Sequence, residues 1–205
     1  MTTRDNGKTW LLELREGVTF HDGTPLDAEA VLFNVRMHQD TPTSPAHNYT
    51  EPIESMTADG QWAVRFVLKR QYGSFAASFA QPSTQGNLGL IESPTAVQKW
   101  GADYGRHPVG AGPFRFVEWV PDSRIVLERF DGYWQRGLPH LDRLEFRPLP
   151  DTDSRYASVV NGDVDMIFAG YHVELLNASQ NPGLVTYYGF GGGAEFLYFN
   201  LTKPP

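Results

Sequence analysis

A mixed α/β or α+β fold is predicted by the alternation of strand-like and helix-like patterns along the 205 residues. In residues 10–15, apolar Leu12 and Leu14 alternate with charged Glu13 and Arg15, as expected of a half-buried strand. Residues 27–39 instead repeat apolar side chains at helical spacing. Hydrophobic residues make up 40% of the chain and charged residues 20%, which is typical of a folded globular protein and excludes a disordered chain.

The first half of the chain is predicted to hold strands at 10–15, 18–20 and 62–68 and helices at 27–39, 72–79 and 94–100. Asp27 is a suitable N-cap for the first of these helices. Its buried stripe is formed by Ala28, Val31, Leu32 and Val35. Pro94 suits the first position of the last helix. The polar stretches between these elements, 40–52 and 81–87, are predicted to be loops.

The second half is predicted to open with a hairpin, whose strands at 114–120 and 124–129 flank the turn 121–123. A strand at 144–147 follows. Asp151 can cap a helix that ends at Gly162 and turns Tyr156, Val159 and Val160 inward. The remaining predicted elements are a strand at 164–168, a helix at 172–179 and strands at 185–188 and 194–200 around a glycine-rich loop at 189–193.

Charge and composition exclude several classes of function. The net charge is -7, and the chain has no run of Lys or Arg, so a nucleic-acid partner is not expected. Cysteine is absent, which excludes disulfides, thiolate catalysis and cysteine-ligated metal within this chain. No stretch of 18 apolar residues is present, so the sequence contains no candidate for a membrane-spanning helix.

Two motifs that could hold a cofactor or a metal lack the context that they need. Residues 189–194 match the spacing G-x-G-x-x-A, but a strand rather than a helix N-terminus is predicted to follow. A flexible loop is therefore favoured over a dinucleotide site. The six histidines show no pair at ligand spacing, and His172 and Glu174, two residues apart, suit a strand better than the helix predicted there. Neither a metal nor a cofactor is predicted.

A catalytic site is not predicted either. Asp163 and Asp165 flank Val164 and could do acid–base work in a hydrolase, but a solvated strand entrance is the favoured interpretation. The G-x-S-x-G motif of a nucleophile elbow is absent. Asp103 precedes His107 by four residues, with no serine close in sequence to complete a triad, although triads can also assemble from distant segments.

Polar loops that contain aromatic residues are the better indication of function. Residues 44–49 carry hydrogen-bonding groups and one ring, and residues 81–85 carry amides and hydroxyls. A cleft for a small polar ligand uses such groups for orientation and rings for contact area. From these residues alone, a binding loop and an ordinary surface loop are equally well supported.

The order of several short motifs resembles the family 5 extracellular solute-binding proteins, the dipeptide-, oligopeptide- and nickel-binding proteins of ABC importers. The motifs, in order, are 5–10 (DNGKTW), 14–25 (LREGVTFHDGTP), 27–31 (DAEAV), 109–114 (VGAGPF), 130–134 (FDGYW), 141–144 (LDRL), 150–152 (PDT), 161–165 (NGDVD) and 199–205 (FNLTKPP). They cover nearly the whole chain. Ala111 stands where the family usually has threonine, a change that should leave the turn intact.

This resemblance implies an incomplete first lobe of a type II periplasmic-binding-protein fold, with a mixed sheet and flanking helices. Residues 1–108 would form a variable subdomain and residues 109–205 a sheet subdomain leading to the hinge. Family members are far longer, so the first strands, the export signal, the second lobe and the returning C-terminal segment are expected to lie outside this chain. Apolar surface that those parts would cover is expected to be exposed, and the fragment is expected to self-associate.

The function that the resemblance implies is capture of a small polar solute between two lobes and delivery to a membrane permease, outside the cytoplasm and at the membrane. A peptide is the favoured ligand, and a nickel complex, a sugar or an opine are the others. Ligand contacts are expected from His47, Asn48, Tyr49, Gln81, Ser83 and Tyr171, on loops 43–50, 81–87 and 168–171. The alternatives are a ligand-sensing module of a regulator and, less favoured, a hydrolase.

Overall fold

The computed structural model describes residues 1–80, 87–170 and 172–187, and for His172 its backbone only. The chain divides into two compact units, Met1–Arg147 and Pro148–Pro205. The predicted boundary at 108/109 falls inside the first unit, between its two sheets, and stays a prediction.

The first sheet of unit 1 has four strands, β1 (Thr2–Thr3), β2 (Thr9–Glu13), β3 (Ile53–Ala58) and β4 (Ala63–Leu68). Their spatial order is β1-β2-β4-β3, and every neighbouring pair is antiparallel. Trp10 lies opposite Phe66 in the ladder between β2 and β4. Inward-facing Val64, Phe66 and Leu68 alternate with less buried residues along β4, which is why this strand could be predicted from its sequence.

One face of this sheet is covered by helix α1 (Ala28–Asp40), and the short helix α2 (His47–Thr50) packs against α1. Asp27 caps α1 by accepting a hydrogen bond from the amide of Ala30 at 3.1 Å. The predicted stripe is confirmed, because its four residues are all buried in the core cluster. Phe66, Phe75 and Phe79 add a group of mutually tilted rings to this core, Phe75 and Phe79 coming from the 3₁₀ helix Phe75–Phe79.

Helix α3 (Pro94–Trp100) and a 3₁₀ helix (Gly101–Arg106) lead to the second sheet of unit 1. Its strands are β5 (Phe114–Val120), β6 (Arg124–Arg129) and β7 (Arg143–Phe146), in the order β5-β6-β7 and antiparallel. The predicted hairpin is therefore confirmed. In unit 2, α4 (Thr152–Val160) begins after its predicted cap Asp151, and α5 (His172–Gln180) matches the second predicted helix.

Some predicted elements are wrong. Residues 18–20 form only an isolated bridge between Thr19 and Pro25, because this segment closes a loop: Phe20 donates to the carbonyl of Thr24, and Leu26 donates to that of Val18. The predicted loop 40–52 contains α2. Strand β3 was missed because a register shift between Ile53 and Ser55 breaks its alternation.

The strand predicted at 164–168 is also absent, and Met166 and Phe168 lie exposed instead. Val160, expected to face inward, is exposed as well, while Tyr156 and Val159 are half-buried. Residues 185–187 are irregular. Tyr188 and the predicted strand 194–200 lie outside the described residues, as does the glycine-rich loop 189–193.

Large apolar side chains are exposed in both units. They include Trp119 and Phe146 on the second sheet of unit 1, and Met166, Phe168 and Val173 in unit 2.

Candidate functional site

The predicted ligand loop 43–50 is built around two histidines. His38, near the end of α1, is hydrogen-bonded through Nδ1 to Ser44 Oγ at 2.8 Å. His47 donates from its Nδ1 to the carbonyl oxygen of His38 at 3.0 Å. These bonds tie the start of α2 to the end of α1, and they leave Nε2 of His47 without a hydrogen-bond partner among the described residues.

The other two predicted residues on this loop differ in their surroundings. Asn48 is exposed. Tyr49 is half-buried and packs against the core cluster of unit 1. Gln81, Ser83 and Tyr171 lie outside the described residues. The structure thus brings His47, Asn48 and Tyr49 together on one short helix.

A second polar cluster, which the sequence did not indicate, joins α1 to the segment before α3. The side chain of Asn34 is fully buried, donates from Nδ2 to the carbonyls of Ala30 and Glu92, both at 2.8 Å, and accepts from the Glu92 amide at 2.9 Å. Its three hydrogen bonds found in the described part of the chain are therefore all to backbone. Asn34 was not predicted because a single asparagine in a helix gives no spacing signal.

The histidine and aspartate of the motif 14–25 anchor the loop that leads to the second sheet. The His21 amide donates to the carbonyl of Gly110 at 2.8 Å, and its Nε2 donates to that of Gly112 at 3.0 Å. The imidazole also contacts the edge of Phe130, with ring centroids 4.9 Å apart. His21 therefore holds residues 109–113 against the loop in which His21 itself lies. Its role is structural.

Asp22 binds the N-terminus of α3 through Ser93. Ser93 donates its hydroxyl to Asp22 and accepts from the amide of Ala96, as an N-cap. Thr24 donates its hydroxyl to Asp22 at 2.6 Å. Burial would raise the pKa of Asp22, but the hydrogen bonds from Ser93 and Thr24 outweigh it and hold that pKa below its ordinary value. Ser93 is buried as a cap and is not placed as a nucleophile.

Two groups beside this cluster are shifted toward their neutral forms. Burial raises the pKa of Glu92. Burial also raises the pKa of Tyr104 to about 12, with a smaller contribution from the negative charges of Glu92 and Asp22. The Tyr104 hydroxyl is held at 3.1 Å from both the amide and the carbonyl of Val109. These shifts arise from structural packing, so they do not indicate an acid–base site by themselves.

The described residues offer little support for catalysis or metal binding. Asp163 and Asp165 are both exposed, in a turn region that follows α4 rather than on a strand. No group of three or more His, Asp or Glu side chains within 1–80, 87–170 and 172–187 is suited to hold a metal ion. None of the helices in that same part of the chain is both long and apolar enough to cross a membrane.

An open groove of about 690 Å³ runs along the solvent side of α1. Its wall includes Pro25, Phe33, Met37 and Pro94, and its charged groups include Glu29 and Arg36. Of the predicted ligand residues that the structure describes, His47, Asn48 and Tyr49, none lines it.

Sequence comparison matches this chain to longer binding proteins. It is 35% identical over 209 residues to the glutathione-binding protein GsiB of Shigella flexneri and 34% identical to that of Escherichia coli O157:H7. In each case the match covers 100% of this chain and 39% of the relative. The chain thus spans well under half the length of the curated relatives it matches.

Solved structures share the fold. AgaA of A. tumefaciens R10, in complex with agropinic acid, has a TM-score of 0.79 at 24% identity, covering 88% of this chain and 36% of that one. A nickel ABC transporter protein of Bacillus halodurans has a TM-score of 0.69 at 28% identity. The match covers 88% of this chain and 35% of that one. The predicted type II binding-protein fold of mixed α/β class is confirmed by these likenesses. Where one mixed sheet was predicted, the described residues form two antiparallel sheets with flanking helices.

The family model described as bacterial extracellular solute-binding proteins, family 5, middle region, matches residues 1–205. The chain therefore belongs to the family 5 bacterial extracellular solute-binding proteins.

Proposed function

We propose that this chain is part of the substrate-binding component of an ABC importer, which captures a solute and delivers it to a membrane permease. The family match over residues 1–205 carries the proposal. Two buried polar side chains agree with it, because Asn34 anchors backbone and Ser93 caps a helix. The proposed output is binding, with no reaction of its own.

The ligand that we favour is a peptide or peptide-like solute. The relatives named for glutathione binding match the whole chain at 34–35% identity, and glutathione is itself a tripeptide. The nickel and opine proteins among the solved structures leave a nickel complex and an opine as the other ligand classes. A sugar stays a less favoured possibility from the sequence.

The ligand residues that we propose are His47, Asn48, Tyr49, Gln81, Ser83 and Tyr171. The surroundings of the first three support their part of the proposal. His47 is fixed through Nδ1, which donates to the His38 carbonyl, so its Nε2 is oriented and in the neutral imidazole accepts a hydrogen bond. Exposed Asn48 offers both a donor and an acceptor, and Tyr49 is steadied by the core cluster.

The domain division that we propose is a variable subdomain at 1–108 and a sheet subdomain at 109–205. The loop 109–113 supports a boundary there, because it links the two sheets of unit 1. His21 and Tyr104 are hydrogen-bonded to this loop. In the family the ligand lies between lobes that close by hinge motion, and closure exposes a state that the permease can recognise. We further propose a periplasmic or extracellular location at the membrane.

We also propose that the 205-residue chain alone self-associates. Met166 and Phe168 are 83% and 86% exposed, which is costly for large apolar side chains. Sedimentation velocity over a concentration series should show oligomers, and a monomer at every concentration would contradict this part of the proposal.

The experiment for the main proposal uses the complete reading frame that encodes these residues. The protein is purified without refolding, and small molecules released by acid are identified by mass spectrometry. A stoichiometric peptide, opine or nickel complex is expected, unchanged after long incubation. Conversion of the molecule to a product would contradict a pure binding role, and a DNA-binding domain in the same reading frame would favour sensing over transport.

A further inference from the structure

We propose that the open groove along α1 is a docking site for a basic, amphipathic helix of a partner protein. The groove measures about 690 Å³ and is lined by the apolar residues Pro25, Phe33, Met37 and Pro94. Docking here would be additional to the proposed capture of a solute, because the described residues of the ligand loop 43–50 do not line the groove.

Helix α1 presents a second face to this groove, distinct from its buried stripe. Glu29, Phe33, Met37 and Asp40 follow one another at helical spacing, so they lie on one side of the helix, and all four line the groove. Phe33 and Met37 are half-buried, whereas Glu29 and Asp40 are exposed. Since a helix rises about 1.5 Å per residue, the two carboxylates lie about 16 Å apart along the axis, one at each end of the apolar pair.

Hydrogen bonds fix the walls of the groove. Asp22 accepts hydrogen bonds from the hydroxyl of Thr24, on one wall, and from that of Ser93, the cap of α3, at the other. The side chain of Asn34 ties α1 to the main chain of Glu92, just before that cap. Because the loop, α1 and the start of α3 are joined in this way, the groove is preorganised, and docking costs less conformational entropy.

The charges of the groove indicate the kind of partner that fits. The lining carries three carboxylates, those of Asp27, Glu29 and Asp40, against the one guanidinium of Arg36. In the part of the chain that the structure describes, neither Glu29 nor Asp40 forms an ion pair. Lys or Arg side chains at both ends of a partner's apolar stripe would therefore complement this groove.

The open shape of the groove favours a polypeptide over a small molecule. A small-molecule site buries about 70–90% of its ligand's surface, whereas a groove along a helix leaves one side of its occupant in solvent. An amphipathic helix tolerates this, because only its apolar stripe needs to be covered. Apolar residues at i, i+3, i+4 and i+7, with basic residues about eleven positions apart at the two ends, would match the stripe on α1.

The test uses the complete protein and a labelled helical peptide of about 14 residues, with leucine at the four apolar positions and lysine at both ends. Affinity is measured by fluorescence anisotropy, with reduced glutathione and the dipeptide Ala-Phe in excess to occupy a solute site. The peptide should bind with a dissociation constant of about 100 µM or tighter. A matched peptide with glutamate in place of both lysines should bind at least about tenfold more weakly.

Variants of the protein locate the bound peptide. Phe33→Ser should weaken binding by at least about tenfold, and Glu29→Lys by at least about fivefold. Glu16→Lys is the matched control, because it makes the same change in net charge at an exposed residue that does not line the groove, and it should change the affinity by less than about twofold. Glu29→Lys keeps the test valid should Phe33→Ser fail to fold, since Glu29 is exposed.

A labelling experiment tests whether the groove is open in the complete protein. Met37→Cys should react with N-ethylmaleimide at a rate within about tenfold of that of Glu16→Cys, as followed by intact mass. An unreactive thiol at this position would show that another part of the polypeptide covers the groove, which would overturn the docking site.

The remaining outcomes separate this docking site from the proposed solute capture. If the peptide binds the parent protein, Phe33→Ser and Glu29→Lys equally well, or if the two competitors displace it, the peptide lies elsewhere and the docking site is wrong, while solute capture stands. Failure of the peptide to bind would also overturn the docking site alone. Absence of any bound solute would contradict solute capture and would leave the peptide measurement unaffected.

Discussion

The side chain of Asn34 pairs with the main chain of Glu92 in both directions, donating to its carbonyl at 2.8 Å and accepting from its amide at 2.9 Å. An amide side chain is well suited to this, since it carries a donor and an acceptor side by side. The pairing fixes the segment before α3 to the buried face of α1. Because α1 contacts α2, this pairing contributes to the frame that supports the proposed ligand loop 43–50.

Asn34→Asp should therefore be strongly destabilising. The isosteric carboxylate would turn an oxygen toward the carbonyls of Ala30 and Glu92, which now receive hydrogen bonds from Nδ2. We expect a loss of about 2–4 kcal/mol in the free energy of unfolding, measured by urea denaturation. The same change at exposed Asn48 should cost less than about 0.5 kcal/mol. Equal effects at the two positions would contradict the assigned role of Asn34.

Glu92→Gln should stabilise the protein at neutral pH. Burial raises the pKa of Glu92, so folding favours the protonated carboxyl. The sign follows from linkage: stability from this group is fully present below the pKa of the unfolded chain and is lost as the pH rises through the raised folded value. Glutamine keeps the neutral state at all pH values. The unfolding free energies of parent and variant should therefore converge at low pH and separate toward pH about 7.

His38 should affect the pH dependence of the unfolding free energy in the sense opposite to Glu92, and His38→Gln should remove that effect. Burial lowers the pKa of His38 below its ordinary value of 6.5, so on acidification the unfolded chain takes up a proton before the folded protein does. Stability should fall as the pH drops from about 7.5 to about 5.5, and the variant should show a smaller fall.

Exposed His140 provides the matched control for this experiment. His140→Gln should leave the pH profile of the parent protein unchanged. If His38→Gln and the parent show the same slope of unfolding free energy with pH, burial of His38 does not lower its pKa in the folded protein.

Local patterns predicted the elements whose signals lie within a few residues. Asp27 and Asp151 were identified as caps because the residue type and the helix start coincide in sequence, and β4 was found by its alternation. The strand predicted at 164–168 is wrong because apolar residues such as Met166 and Phe168 do not themselves show whether another element packs against them. A run of apolar residues favours a strand, but whether the strand forms depends on pairing with a neighbouring strand.

The polar anchors could not be predicted for a related reason. Asn34 and Glu92 are 58 residues apart, and the ion-paired Arg155 and Glu174 are 19 apart, so neither pair has a spacing that a helix or strand would impose. Their energetic weight comes from burial, which only the folded chain creates. The ligand role of His47, Asn48 and Tyr49 stays a prediction, and the sequence did not show that His47 is hydrogen-bonded to His38.

The 205-residue chain alone should bind ligand weakly. It spans 39% of the relatives' length, so contacts that the rest of such a protein makes in a closed state would be absent. We expect a dissociation constant for reduced glutathione or Ala-Phe no tighter than about 1 mM by calorimetry. A dissociation constant of about 1 µM would show that the chain forms a sufficient site by itself.

A ligand screen of the complete protein decides whether this chain belongs to a solute-capture component. Thermal unfolding is measured with peptides, reduced glutathione, nickel complexes, opines and sugars, and each hit is titrated by calorimetry. One class, most favourably peptides, should raise the unfolding temperature and bind stoichiometrically without being consumed. Failure of every class to bind, or turnover of the ligand that does bind, would contradict it.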